Sequence, residues 1–174
     1  MSLKPLYALA MEKLYVLCVV MAGLALVAIT LIIPFGVFMR YIMNNPQSWP
    51  EPASVVMMVL FSFVGGAAVY RANVHIAVES LTKVVSPAWR RTMANVVHGL
   101  MCLMAWFMVL YGLELCRITW NQSMPEFPGL PVGLVYGPIP LGGLLTFLFL
   151  VEKVWVGPVP PSSFMYSDEA VEME

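Results

Sequence analysis

From Leu14 to Met39 the chain reads LYVLCVVMAGLALVAITLIIPFGVFM, 26 residues without a charge, closed by Lys13 on one side and Arg40 on the other. At 1.5 Å per residue such a helix is roughly 39 Å long, more than the ~30 Å hydrocarbon core of a bilayer, so it crosses with tilt. A secretory signal would carry a shorter apolar region and a small-residue cleavage site. This run ends instead in Phe38-Met39-Arg40-Tyr41 and is expected to stay as a membrane anchor.

Three more apolar runs follow. Ala53–Tyr70 is near the minimum for a span and is bracketed by Trp49 and Tyr70, residues suited to the interface. A run from Met93 to Leu113 is preceded by Ser86-Pro87, an N-cap followed by proline at the first helical position. Its helix is expected to start there and to carry Trp89, Arg90 and Arg91 below the membrane. The last run, Leu130–Val151, contains Pro131, Pro138, Pro140 and Gly142-Gly143, so a kink near Pro138–Pro140 is expected. Spans are therefore placed at about 14–39, 53–70, 93–113 and 130–151.

Composition agrees with this pattern. Of the 174 residues, 60% are hydrophobic and 11% charged, against roughly 25% charged in a soluble domain. A soluble chain of this length could not bury that much apolar surface in one core. The composition excludes a secreted domain, a nucleic-acid binder and a water-soluble enzyme. Net charge is −1, with no global pull toward nucleic acid. Cys18, Cys102 and Cys116 lack CxxC spacing and read as small hydrophobes. The fold class expected is an all-α integral membrane protein of four transmembrane helices, one domain over 1–153.

Orientation follows from lysine and arginine in the short loops. Lys4, Lys13, Arg71, Lys83, Arg90, Arg91 and Lys153 lie on one side, and only Arg40 and Arg117 on the other. Seven against two puts both termini in the cytoplasm. Between spans two and three, Ala77, Val78, Leu81, Val84 and Val85 recur at helical spacing, with His75, Glu79, Thr82, Lys83 and Ser86 mostly on the other face. An amphipathic helix over about 76–85, lying along the cytoplasmic interface, is the reading, the alternative being a cytosolic hairpin packed on its own protein. Residues 154–174 turn proline-rich and then acidic, the composition of a flexible tail.

Chemistry is sparse. No phosphate loop, HExxH, nucleophile elbow or deep carboxylate pair is present. Glu12, Glu51, Glu114 and Glu152 all fall near the ends of spans. His98, about one turn into span three, could pair with His75 as a bis-histidine haem site or simply make an interhelical hydrogen bond. Gly65-Gly66-Ala67-Ala68 implies close helix approach.

Several stretches occur together in a telling order. They are Phe38-Met39-Arg40-Tyr41, Trp49-Pro50-Glu51, Gly66-Ala67-Ala68, and Arg71 followed by His75-Ile76-Ala77-Val78-Glu79. Gln122-Ser123-Met124-Pro125 and Tyr136-Gly137-Pro138-Ile139-Pro140-Leu141-Gly142 come later. Over roughly residues 10–153 the chain resembles the small membrane subunit, DctQ type, of tripartite ATP-independent periplasmic (TRAP) transporters. It departs from that pattern where prolines flank Glu51 in place of a second acidic residue, and where Glu79 stands for a common aspartate.

The resemblance implies a sodium-coupled, binding-protein-dependent importer of organic acids in the bacterial or archaeal inner membrane. Its partners are a large multispan transport subunit, which this chain braces, a periplasmic substrate-binding protein and membrane lipids, with no nucleic acid. No catalytic, cofactor or metal residues are expected in this chain, which is not an enzyme; sodium belongs to the large partner. Arg40, Trp49 and Glu51 become candidates for contact with a subunit or the binding protein, Arg40 lying close to Glu51 across a short outer loop. Arg71, His75, Glu79, Leu81 and Val84 form the candidate cytoplasmic interfacial motif. The alternative is a haem- or quinone-associated anchor subunit of a respiratory complex. A small four-span exporter is less apt, because it would place an acidic residue deep in the first helix.

Overall fold

A computed structural model describes residues 3–72 and 87–157. The described chain forms α1 (Leu3–Tyr41), α2 (Pro50–Arg71), α3 (Pro87–Thr119), a short hairpin of β1 (Ser123–Met124) and β2 (Phe127–Pro131), one turn of helix α4 (Val132–Val135), and α5 (Pro138–Trp155). Four helical stretches, Lys4–Tyr41, Pro50–Arg71, Asn95–Thr119 and Val132–Trp155, are long and apolar enough to cross a bilayer. The protein is thus all-α with four membrane-spanning helices. The expected interfacial helix at 76–85, and the tail from 158 onward, lie outside the described residues.

Local sequence explains most of the boundaries. α1 starts well before the apolar run because Leu3–Lys13 is rich in Ala, Leu, Lys and Glu, all strong helix formers. α2 opens with Pro50 and Glu51 in its first turn, where a missing N–H is harmless and a carboxylate meets the positive end of the helix dipole. α3 begins at Pro87, as the sequence signal indicated.

The fourth span departs from the expected kink. The chain breaks at Tyr136-Gly137 between α4 and α5, and Pro138 begins a new helix. Pro138 and Pro140 both lack an N–H, and both fit the first turn of a helix, where that hydrogen has no intrahelical partner. Restarting the helix leaves no internal hydrogen bond missing, whereas a kink would.

The four long helices stand in a row. α1 packs on α2, α2 on α5, and α5 on α3, while α1 meets α5 only briefly. Burial follows this order: in the apolar stretch of each helix, 28% and 33% of the residues are buried in the second and fourth spans, against 17% and 11% in the first and third. The inner members are covered on two sides and the outer members on one. Close approach depends on glycine. A Cβ built at Gly142 would lie 2.7 Å from the Phe63 carbonyl oxygen, and one at Gly143 would lie 2.8 Å from Met108 Cβ. The main core gathers where α1, α2 and α5 meet, around Tyr15, Cys18, Val64, Ala67, Leu145 and Phe149.

Candidate functional site

The two ends of the row carry different polar structures. At one end Arg71, in the last turn of α2, enters the core instead of facing outward. Its Nε donates to Glu152 Oε2 at 2.7 Å and its Nη2 to Glu152 Oε1 at 2.9 Å. This fork joins α2 to α5 in the planar, two-point geometry peculiar to arginine and carboxylate. The third arm, Nη1, lies 2.9 Å from Glu12 Oε2 on α1. One guanidinium therefore ties three helices together.

This cluster is shielded from solvent. Side-chain exposure is 2% for Arg71, 5% for Glu152 and 28% for Glu12. The guanidinium carbon lies 5.1 Å from the centre of the Tyr15 ring and 5.7 Å from that of Phe149. Aromatic faces on a desolvated cation add attraction where water is excluded. Lys153 Nζ sits 3.4 Å from the Tyr70 carbonyl oxygen and 4.7 Å from the Tyr70 ring centre. The Tyr70 hydroxyl in turn meets His98 Nδ1 of α3 at 3.3 Å, so the polar network reaches all four long helices. Tyr7 closes the edge, donating to the Leu148 carbonyl at 3.1 Å and packing its ring on Trp155.

Two carboxylates, Glu12 and Glu152, face two cations, Arg71 and Lys153. The donors of Arg71 are spent on Glu152 and Glu12, which suits the cluster to holding helices rather than to binding a ligand. Among the described residues no buried side-chain nitrogen or oxygen lacks a hydrogen-bond partner. Nor do three His, Cys, Asp or Glu side chains there converge to hold a metal ion.

At the other end, Arg40 Nη2 lies 3.0 Å from Glu51 Oε1, with side-chain exposures of 49% and 77%. Trp49 packs beside this pair on Phe35, ring centres 5.8 Å apart. A hollow of about 100 Å³ lies beside the ion pair, lined by Ile33, Gly36, Val37, Arg40, Tyr41, Gln47, Pro50 and Glu51. The structure thus gathers Arg40, Trp49 and Glu51 at one corner. Of the cytoplasmic motif, Arg71 is placed, while His75, Glu79, Leu81 and Val84 lie outside the described residues.

Sequence reasoning noted Glu12 and Glu152 only as charges near span ends and did not join them to Arg71. A signal was there. Glu12 stands just before the first apolar run, Arg71 just after the second and Glu152 just after the fourth. In an up-and-down arrangement all three fall at one level on one side. Gly65 and the alanines behave as expected, Ala67 and Ala68 being buried and a Cβ at Gly65 falling 3.5 Å from Ala22 Cβ. Gly66, by contrast, faces open space.

No curated protein matches the chain. The family model for tripartite ATP-independent periplasmic transporters, DctQ component, matches residues 29–157. That span includes Arg40, Glu51, Arg71, His98 and Glu152 but begins after Glu12. Matched over well more than half of its length, and built as four apolar helices, this chain belongs to the DctQ family, the small inner-membrane subunit of a TRAP transporter.

Proposed function

We propose that the chain is the small permease subunit of a sodium-coupled importer of organic acids, and that it braces the large transport subunit while a periplasmic binding protein delivers the substrate. One observation carries the bracing role. The charged side chains of the described spans sit at the two ends of the row, and the buried ones, Arg71 and Glu152, are consumed in holding helices together. The spans present apolar surface outward, including Leu24, Leu31, Leu103, Trp106 and Phe107. A transport site would need polar groups near mid-membrane. Sodium coupling and an organic acid cargo rest on what is general to such three-part importers. The family match lends no support to a haem- or quinone-associated anchor.

In this reading the Arg71 end faces the cytoplasm and the Arg40 end faces the periplasm, as the seven-to-two distribution of Lys and Arg favours. Arg40, Trp49 and Glu51 then meet the large subunit or the binding protein. The segment after Ala72 lies on the inner leaflet, held by its apolar side chains and by Lys83, Arg90 and Arg91. Each such cation near an anionic leaflet contributes about 1 kcal/mol.

Reconstitution tests the proposal. Proteoliposomes with all three components should accumulate substrate under an inward sodium gradient, and those with this subunit alone should not. Omitting this subunit should abolish uptake. Full uptake without it, or accumulation by it alone, would overturn the reading. Leu81→Asp with Val84→Asp should lower uptake while leaving substrate capture by the binding protein unchanged.

A further inference from the structure

The interfaces along the row differ in how firmly they fix one helix against the next. α5 is keyed to α2 by Gly142, where an added Cβ would meet the Phe63 backbone, and to α3 by Gly143 against Met108 and Gly112 against Pro140. Shifting these helices by one turn drives a side chain into backbone. The α1–α2 interface is filled by Met11, Tyr15 and Tyr70 at the Arg71 end but has no such key over its middle. There α1 offers Cys18, Ala22 and Ala25 at successive turns, and α2 offers Val64, Ala67 and Ala68. Over that stretch a one-turn slide of α1 exchanges one small side chain for another. An open groove of about 480 Å³ beside this contact leaves room for the movement.

Contacts at the Arg40 end do not fix the far half. Gly36 lies under Pro50 there, but Pro34 inside α1 removes a backbone hydrogen bond between the two halves. The lengths also differ. From Glu12 to Arg40 is roughly 42 Å of helix, whereas from Glu51 to Arg71 is roughly 30 Å. Helices joined by ion pairs at both ends over such unequal lengths cannot run strictly side by side.

We propose that the Glu12–Arg71 ion pair is the main register pin of α1, with Arg71 itself held in place by its fork to Glu152 and the uncharged Tyr7–Leu148 hydrogen bond the weaker tie. Glu12 is then a positioning residue whose removal frees α1 to shift by a turn without unfolding the row. Buried ionic groups are best attested as devices of this kind, selecting one register among several of similar packing energy. The inference concerns the chain itself and does not depend on the bracing role. It also assigns a structural duty to residues before 29, where the family match begins.

Disulfide cross-linking in native membranes, in the assembled transporter, reads the register directly. The built Cβ at Gly65 lies 3.5 Å from Ala22 Cβ, within the range a disulfide requires. Ala22→Cys with Gly65→Cys, in a background lacking the native cysteines, should oxidise readily. Two pairs one turn off report a shift: Ala25→Cys with Gly65→Cys in the same background, and Gly65→Cys with Cys18 retained as the one native cysteine. With Glu12 present these two should stay at background. Glu12→Ala should lower the yield of the first pair and raise one of the shifted pairs. An unchanged first pair with silent shifted pairs overturns the proposal. So does loss of the first pair with no gain elsewhere, since α1 has then come away rather than slid. Should Glu12→Ala fail to accumulate, Arg71→Lys serves with the same readouts. In that variant Glu12→Gln is added, which removes the charge of the pair while keeping the side chain's shape, and the same shift is expected.

Discussion

Arg71 and Arg40 terminate adjacent helices and each pairs with a carboxylate, yet their surroundings make them very different residues. Removing the Arg71 guanidinium strands Glu12 and Glu152 in a shielded site, a change that costs about 3–5 kcal/mol when a buried pair is broken. Arg71→Met should therefore lower the thermal midpoint of the detergent-purified subunit sharply or prevent its accumulation. Replacing Glu12, Arg71 and Glu152 together by apolar residues of similar volume should recover much of that loss, because no charge is left without a partner. Arg40→Ala breaks a pair exposed to solvent, worth about 0–1 kcal/mol. Its midpoint should be close to that of the parent. A large drop for Arg40→Ala, or none for Arg71→Met, would contradict this ordering.

At the level of elements, glycine decides which helix contacts are tight. Gly142→Ala places a methyl 2.7 Å from the Phe63 carbonyl oxygen, so α2 and α5 must separate. Overpacking of this kind costs typically about 1–3 kcal/mol. Gly66 has nothing within 4 Å of its built Cβ, so Gly66→Ala in the isolated subunit should be neutral or gain up to about 1 kcal/mol of helix propensity. Thermal unfolding of the two variants, compared side by side, checks this difference. The break between α4 and α5 belongs to the same scale. Pro138 and Pro140 are accommodated where a helix begins, and the hairpin of β1 and β2 returns the chain to that point, with Val132 N–H donating to the Gln122 carbonyl at 2.8 Å.

For the whole molecule, the row of helices has two broad apolar faces, and its position in the membrane follows from the ends. Cysteines placed singly at Asn45 and Gln122, in a cysteine-free background, should react with an impermeant thiol reagent in intact cells. Those at Ser80 and Ser167 should react only after lysis. The reverse pattern would invert the assignment of the Arg40 end to the periplasm. Affinity purification at native expression should recover a multispan partner in near-equal amount. Recovery of homo-oligomers alone would count against the bracing role.

Much of this protein is decided by local sequence. Uncharged runs of sufficient length must become helices in a bilayer, because no water is present to satisfy an open backbone. For the same reason the four spans were legible in the chain, and from their own local signals so were the start of α3 at Pro87 and the nearness of Arg40 to Glu51 across a short loop. Family membership was legible too, in short motifs whose order survives although none is diagnostic alone. Tertiary structure decided what local rules leave open. Nothing in an apolar run states which helix it lies against, so the row order, with α5 between α2 and α3, emerges only when Gly142, Gly143 and Gly112 meet their neighbours. The Glu12–Arg71–Glu152 cluster is of the same kind. Its members are up to 140 positions apart in the chain, and each alone resembles an ordinary charge at a membrane boundary. Only the packing of three helices brings them within 3 Å and removes the water that would otherwise weaken their attraction.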